Sequence, residues 1–214
     1  MKTVIITGVS QGLGRSIADV FVKASWQVIG TGRSTRPDDL DQSIDYHQFD
    51  ASDNVAVAGF WDQLNLDGNE VCLVNNAGGY IGGGLIETAA DEYVKQVQSN
   101  YFSSVYMTRG LAEHITMARI INVISASALS AHAKNSAYGA AKAAAMHFFQ
   151  SIQKEFPPEK YQITNLYPSD IDSHHDNPHA IGAVDLASFI LELASSHASY
   201  YLTDVTLRPI KRST

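Results

Sequence analysis

Short apolar runs of strand length recur at 3–7, 27–31, 44–49, 71–74, 119–125, 161–167 and 204–208. Most intervals between them carry apolar residues at helical spacing. That alternation predicts crossover units and a parallel sheet. The runs are close to continuous, as in Arg119-Ile120-Ile121-Asn122-Val123-Ile124, which is the pattern of strands covered on both faces. Helices are therefore expected on both sides, the clearest at about 12–24, 53–64, 90–114, 136–155 and 183–195, the fourth stopped by Pro157-Pro158. About ten residues separate the second and third runs, so any helix there is vestigial. The expected fold class is α/β, a doubly wound parallel sheet of about seven strands.

Composition narrows this further. A chain of 214 residues that is 45% hydrophobic can bury one sizeable core but not a dinucleotide domain plus a full second one, so a single domain over 1–214 is expected. No run approaches the roughly 18 to 20 apolar residues of a membrane helix, and the chain enters its first strand without a charged-then-apolar leader. A cytoplasmic protein with no membrane partner is the expectation. The single cysteine, Cys72, lies in Val71-Cys72-Leu73-Val74 and reads as a small buried hydrophobe. The net charge of −7 comes from acids spread through segments such as Asp38-Asp39-Leu40-Asp41 and Asp170-Ile171-Asp172, which argues against a nucleic-acid partner.

The first candidate chemistry is the segment Thr7-Gly8-Val9-Ser10-Gln11-Gly12-Leu13-Gly14, set between the apolar run Val4-Ile5-Ile6 and a helical pattern from Ser16. Glycines there let backbone approach a pyrophosphate, and the amides of the helix start point at its charge. The second run ends Ile29-Gly30-Thr31-Gly32-Arg33-Ser34. An acid at this point would bind a ribose 2′-hydroxyl, whereas an Arg accommodates a 2′-phosphate. Arg33 thus favours NADP(H), with NAD(H) possible and an ordinary surface ion pair as the alternative role for Arg33. Arg15 and Arg36 are candidates to add to the same positive field.

Further motifs follow in order. Asp50 closes Tyr46-His47-Gln48-Phe49-Asp50, and Asn75-Asn76-Ala77-Gly78 follows the fourth run. Tyr138-Gly139-Ala140-Ala141-Lys142 puts Tyr138 and Lys142 on one helical face. Taken together, these residues resemble the short-chain dehydrogenase/reductase family, in its T-G-x-x-x-G-x-G and Y-x-x-x-K branch, over residues 1 to about 208. The resemblance implies a Rossmann fold and a catalytic set of Asn100, Ser125, Tyr138 and Lys142, with Ser125 thirteen residues before Tyr138. It implies cofactor contacts from Thr7, Gly8, Ser10, Gln11, Gly12, Leu13 and Gly14 in the loop, and from Arg33, Ser34, Asp50 and Ala51. Asn76, Ala77, Gly78, Tyr138, Lys142, Pro168, Ile171 and Ser173 complete that set.

The chemistry of the pair is legible in pKa terms. A free tyrosine titrates near 10, so it protonates an incipient alkoxide well and is a poor base near neutrality. A neighbouring ammonium and a positive oxidised nicotinamide both favour phenolate, so Lys142 is expected to tune the proton affinity of Tyr138 toward working pH and, by resemblance, to hold the nicotinamide ribose. Ser125 would polarise the substrate carbonyl, and Asn100 would hold a water linking Lys142 to solvent. Ser127, eleven residues before Tyr138, reads as a neighbour rather than a catalyst.

The chain also departs from the family pattern. Tyr167-Pro168-Ser169-Asp170-Ile171-Asp172-Ser173 carries Ser169 where the family has glycine and Ser173 where it has threonine, and Asp204 stands in place of a glycine before the last strand. A short stretch between Ser173 and the helix near Ala183 suggests an open pocket. Its His174, His175 and His179 read as a polar loop and not as metal ligands. Tyr80 and Gly82-Gly83-Gly84 are expected at the pocket mouth, and Met107, Phe148 and Phe149 on packed helix faces.

The reading is an oxidoreductase for a small-molecule carbonyl or alcohol, working as a homodimer or homotetramer through the helices near 90–114 and 136–155. A non-catalytic NADP-binding sensor or scaffold is the alternative, and an epimerase or dehydratase a third.

Overall fold

The structure is a computed structural model that describes residues 1–172, 177 and 179–210. The chain runs β1 (Lys2–Thr7), α1 (Gly12–Lys23), β2 (Gln27–Gly32), β3 (Asp45–Gln48), α2 (Asn54–Asp62), β4 (Glu70–Asn75) and α3 (Ala90–Val97). A π-helical turn (Gln98–Phe102) leads into α4 (Ser103–His114), followed by β5 (Ala118–Val123), α5 (Ser136–Glu155) and β6 (Tyr161–Pro168). The remainder is β7 (Ile171–Asp172), β8 (Ile181–Gly182), α6 (Ala183–Ser195) and β9 (Asp204–Leu207). Seven strands form one sheet in the order β3-β2-β1-β4-β5-β6-β9, every neighbouring pair parallel. The order reverses between β1 and β4, the point at which doubly wound sheets open a crevice.

Alternation along the strands assigns each apolar residue to a face. Val4, Ile6, Val28, Cys72, Val74 and Ile121 point to the layer that holds α1 and α6. Ile5, Ile29, Leu73 and Ile120 point to the layer of α2, α4 and α5, around the fully buried Trp61. Cys72 is 1% exposed, and burial pushes its thiol up to about 12, so it is an inert hydrophobe. Met107 and Phe149 are buried on the second face.

Two local expectations give way to tertiary contacts, over 90–114 and at the end of the fifth strand. The helix expected over 90–114 is broken by the π turn at 98–102, where one extra residue swings Asn100 inward. Between β2 and β3 the described residues form no helix, in keeping with the short interval. The chain makes turns there whose carbonyls are met by Arg36, donating to Ile44 O (2.8 Å), Leu40 O (3.3 Å) and Asp41 O (2.6 Å). The fifth strand stops at Val123, which leaves Ser125 just beyond it as the residue preceding a 3₁₀ turn. The two-residue pair β7–β8 is an addition that the apolar pattern does not announce.

A polar ladder crosses the sheet below its C-terminal edge. Asn75, Asn122, Asn165 and Asp204 lie in register on β4, β5, β6 and β9. Asn75 Nδ2 donates to Asn122 Oδ1 and Asn122 Nδ2 to Asn165 Oδ1, each at 2.9 Å, and Asn165 Nδ2 donates to Asp204 Oδ1 at 3.3 Å. Thr108 Oγ1 accepts from Asn75 at one end, and the Tyr167 hydroxyl donates to Asp204 at the other. The three asparagines are buried, so each link replaces water that the amide has lost.

Candidate active site

A cleft of about 630 Å³ opens where the strand order reverses, at the C-terminal ends of the strands. Its floor is the loop from β1 to α1, and Gly8, Ser10, Gln11, Gly12, Leu13 and Gly14 all line it. Gly8 has φ +77° and its N–H reaches Thr31 O at 2.8 Å, a path open to glycine and strained for other residues. A Cβ on Gly14 would stand 2.0 Å from Gly8 O, so only glycine lets α1 start this close to the loop. The first turn of α1 has neither a side-chain cap nor an acidic residue, which leaves its N–H groups for an anion.

Thr7 is placed differently from the sequence expectation. It is buried and does not line the cleft. Its Oγ1 accepts from the N–H groups of Asn76 (3.0 Å) and Ala77 (2.8 Å), while Asn76 Nδ2 donates to Thr7 O (3.0 Å). Thr7 is a strut that locks the segment after β4 to the end of β1, and so positions Asn76, Ala77 and Gly78, which do line the cleft.

At one end stand Arg33, Ser34, Asp50 and Ala51. Arg33 is exposed and takes part in none of the ion pairs among the described residues. Arg15 and Arg36 do not join it. Arg15 is held by Asp39 (3.1 Å) and by the carbonyls of Val9 and Ser10, and Arg36 braces the turns after β2. Asp50 Oδ1 accepts from Ser52 N and Ser52 Oγ, which fixes its carboxylate at the cleft edge.

At the other end Asn100, Ser125, Tyr138 and Lys142 come together with Pro168 and Ile171. α5 carries Tyr138 and Lys142 one turn apart, with the Lys142 ammonium 5.6 Å from the Tyr138 ring centre. Lys142 is 6% exposed and donates to Val123 O at 3.2 Å; burial draws its pKa down to about 8. Ser125 Oγ accepts from Ser127 N at 3.1 Å. Ser127 Oγ accepts from Asn135 Nδ2 at 3.0 Å.

Tyr138 is half-buried and lines this end of the cleft. Burial raises its pKa above the usual tyrosine value, its bond with Ser125 opposes that, and nearby Tyr80 adds to the rise. Desolvation disfavours the phenolate, and the phenol keeps its proton at neutral pH.

Asn100 sits at the centre of the π turn. Its Nδ2 donates to Gly79 O (2.9 Å) and lies within reach of Gln96 O (3.2 Å), while Oδ1 is buried without a partner among the described residues. A Cβ on Gly78 would meet that Oδ1 at 2.4 Å, so the glycine makes room for the amide. Phe49, Ser99, Ser103 and Val123 also line the cleft. Nothing in their local sequence separates them from packed neighbours; Ser99 and Ser103, four residues apart, share one helical face, and Ser103 Oγ donates to Ser99 O at 2.6 Å. Ser173, His174 and His175 lie outside the described residues.

The chain is similar to proteins of one family throughout. The family model for short chain dehydrogenases matches residues 2–180. Over 189 residues the chain is 29% identical to dehydrogenase/reductase SDR family member 7B of Bos taurus, covering 80% of this chain and 58% of that protein. It spans 58–61% of the length of the first such curated relatives. Among solved structures it resembles serine dehydrogenase from Escherichia coli, with a TM-score of 0.85 at 23% identity and 100% of both chains covered. It also resembles an alcohol dehydrogenase from the archaeon Thermococcus sibiricus complexed with 5-hydroxy-NADP, with a TM-score of 0.89 at 20% identity, covering 100% of this chain and 99% of that one. Together with the glycine loop and the meeting of Ser125, Tyr138 and Lys142 in one cleft, the match over residues 2–180 identifies the chain as a member of the short-chain dehydrogenase family.

Proposed function

We propose that the chain is an NADP(H)-dependent oxidoreductase that moves a hydride between nicotinamide and a small carbonyl or secondary-alcohol substrate. The observation that carries this reading is the meeting of Asn100, Ser125, Tyr138 and Lys142 at one end of a cleft whose other end is Arg33. The residues present suit the dinucleotide: an uncapped helix start and glycine loop for the pyrophosphate, Arg33 and Ser34 for a 2′-phosphate, and Asp50 and Ala51 for the adenine. Asn76, Ala77, Gly78, Pro168 and Ile171 would flank the nicotinamide half. When bound, the nicotinamide supplies or accepts the hydride.

The remaining steps belong to the chain. Ser125, its oxygen already held by the Ser127 N–H, donates to the substrate oxygen and steadies the charge that grows there. Tyr138, a phenol that keeps its proton at neutral pH, delivers it to that oxygen when the substrate is reduced. Lys142, with a pKa near 8, is able both to give and to take a proton at working pH. The unpartnered Asn100 Oδ1 is the acceptor that would hold a water between Lys142 and solvent, so that Tyr138 is resupplied.

The same reading places the protein in the cytoplasm as a homodimer or homotetramer. Tyr101, Phe102, Tyr106 and Phe148 form a partly exposed aromatic cluster on α4, α5 and the π turn, the face through which two copies would pair. Light scattering on the purified protein decides the stoichiometry.

The test is a fluorescence titration with NADPH and NADH in parallel, then a carbonyl panel followed at the nicotinamide absorbance. Preferential NADPH binding with oxidation by a panel member is the expected result. Failure to bind either nucleotide overturns the reading, and tight NADPH binding without turnover on a broad panel favours a sensor.

A further inference from the structure

Behind Arg33, three hydroxyls from three separate segments meet around a glycine. Ser10 comes from the loop after β1, Ser34 from the end of β2, and Tyr46 from β3. The Tyr46 hydroxyl donates to Ser34 O at 2.7 Å. It also lies 3.2 Å from Ser10 Oγ, and Ser34 Oγ donates to Ser10 Oγ at 3.3 Å. A phenol has one hydrogen, and here the carbonyl of Ser34 takes it, so Ser10 is the donor in its bond with Tyr46. The hydroxyls therefore form a closed circuit, from Ser34 Oγ to Ser10 Oγ to the Tyr46 oxygen and back to the Ser34 carbonyl.

Gly32 is what lets the circuit close. A Cβ at that position would stand 2.4 Å from both Ser10 Oγ and the Tyr46 hydroxyl. The Tyr46 ring is fixed from below, packed against the apolar cluster that contains Val9, Leu40 and Ile44. Tyr46 itself does not line the cleft, while Ser10, Arg33 and Ser34 do.

We propose that Tyr46 is a positioning residue for cofactor choice: its hydroxyl anchors Ser10 and the Ser34 backbone so that the Ser34 hydroxyl stands beside Arg33 as a donor for a 2′-phosphate. This rests on the proposed function, in which that phosphate is read at Arg33. A phosphate offers acceptors only, so its site needs a cation and hydroxyls whose hydrogens turn outward. Ser34 Oγ–H, on the longest bond of the circuit, is the one most readily turned to an anion. Without the Tyr46 hydroxyl, Ser34 O loses its donor and Ser10 loses its acceptor. NADH, with a plain ribose hydroxyl, makes little use of this arrangement, so the loss falls on NADPH.

The experiment is a fluorescence titration of wild type, Tyr46→Phe, Ser34→Ala, the double variant and Arg33→Ala with NADPH and with NADH. Tyr46→Phe is expected to raise the NADPH dissociation constant at least about tenfold and that of NADH less than about threefold. In the Ser34→Ala background the same change should matter much less, since Tyr46 acts through Ser34. Gly32→Ala, which forces Ser10 and Tyr46 apart, is expected to reproduce the selective loss and serves if Tyr46→Phe fails to melt cooperatively. Equal weakening of both nucleotides, or unchanged NADPH binding, overturns the inference and leaves the Arg33 reading standing. A wild type without NADPH preference, or Arg33→Ala losing both nucleotides equally, removes the 2′-phosphate reading and the inference with it.

Discussion

The ring of Tyr80 meets the ring of Tyr138 edge-on, with centroids 5.2 Å apart and planes at 85°. Tyr80 is 65% exposed at the cleft mouth, yet its loop is pinned, since Gly79 O accepts from Asn100 and Gly83 N–H donates to Lys134 O at 2.9 Å. Tyr80 helps to raise the Tyr138 pKa, so its removal should lower it. Reduction needs the protonated phenol and is lost as pH rises through that pKa. Tyr80→Ala should therefore lose activity at lower pH than wild type, with Tyr80→Phe between them, in a pH–rate profile of kcat. Superimposable profiles would exclude the contact from setting the proton affinity.

Replacing Tyr138 by Phe keeps the ring and removes the proton. Turnover is expected to fall by about two to four orders of magnitude, the range of a general acid. Cofactor affinity in a fluorescence titration should stay within about a factor of three. Retained turnover would place the proton donor elsewhere.

Burying a charged Lys142 costs stability, and the sign of the pH effect follows. Its pKa is about 8 in the folded chain against an ordinary lysine value of 10.5, so between those values the unfolded chain binds the extra proton. Stability should thus gain up to about 3 kcal/mol from Lys142 as pH rises from about 8 toward 10.5. Denaturant titrations of wild type and Lys142→Met at pH 7 and pH 10 isolate the contribution as a difference. A pH-independent difference would contradict the buried ammonium.

Asn122 is the middle rung of the polar ladder. Asn122→Ala leaves Asn75 Nδ2 one acceptor short and Asn165 Oδ1 without a donor, both buried. The expected cost is about 2–4 kcal/mol, or a Tm lower by about 5–15 °C. Calorimetry checks it, and a change within about 1 °C would mean that the ladder contributes nothing net.

The strand positions were readable because both faces of the sheet are buried, which makes Val4-Ile5-Ile6 and Cys72-Leu73-Val74 continuous in apolarity. Ser125, Tyr138 and Lys142 were equally readable, since a helix fixes Tyr138 and Lys142 relative to each other. What escaped the sequence depends on distant partners. The π turn at 98–102 holds no Gly or Pro, and the distant partner of its Asn100 is Gly79 O, twenty-one residues away in the chain. Thr7 looks like a loop residue until Asn76 and Ala77 arrive from β4 to claim its hydroxyl. Tyr46 reads as one apolar position of a short strand, and only the missing Cβ of Gly32 puts its hydroxyl beside two serines.

The π turn makes this chain locally over-long by one residue. Excising Ser99 would let α3 run into α4 as ordinary helix, with regular i to i−4 bonding throughout. Because each helical residue turns the axis by about 100°, the same excision would rotate Asn100 away from Gly79 and carry its amide out of the cleft. A shortened chain of this kind should melt higher and turn over more slowly, so the site is maintained at the expense of the scaffold that carries it.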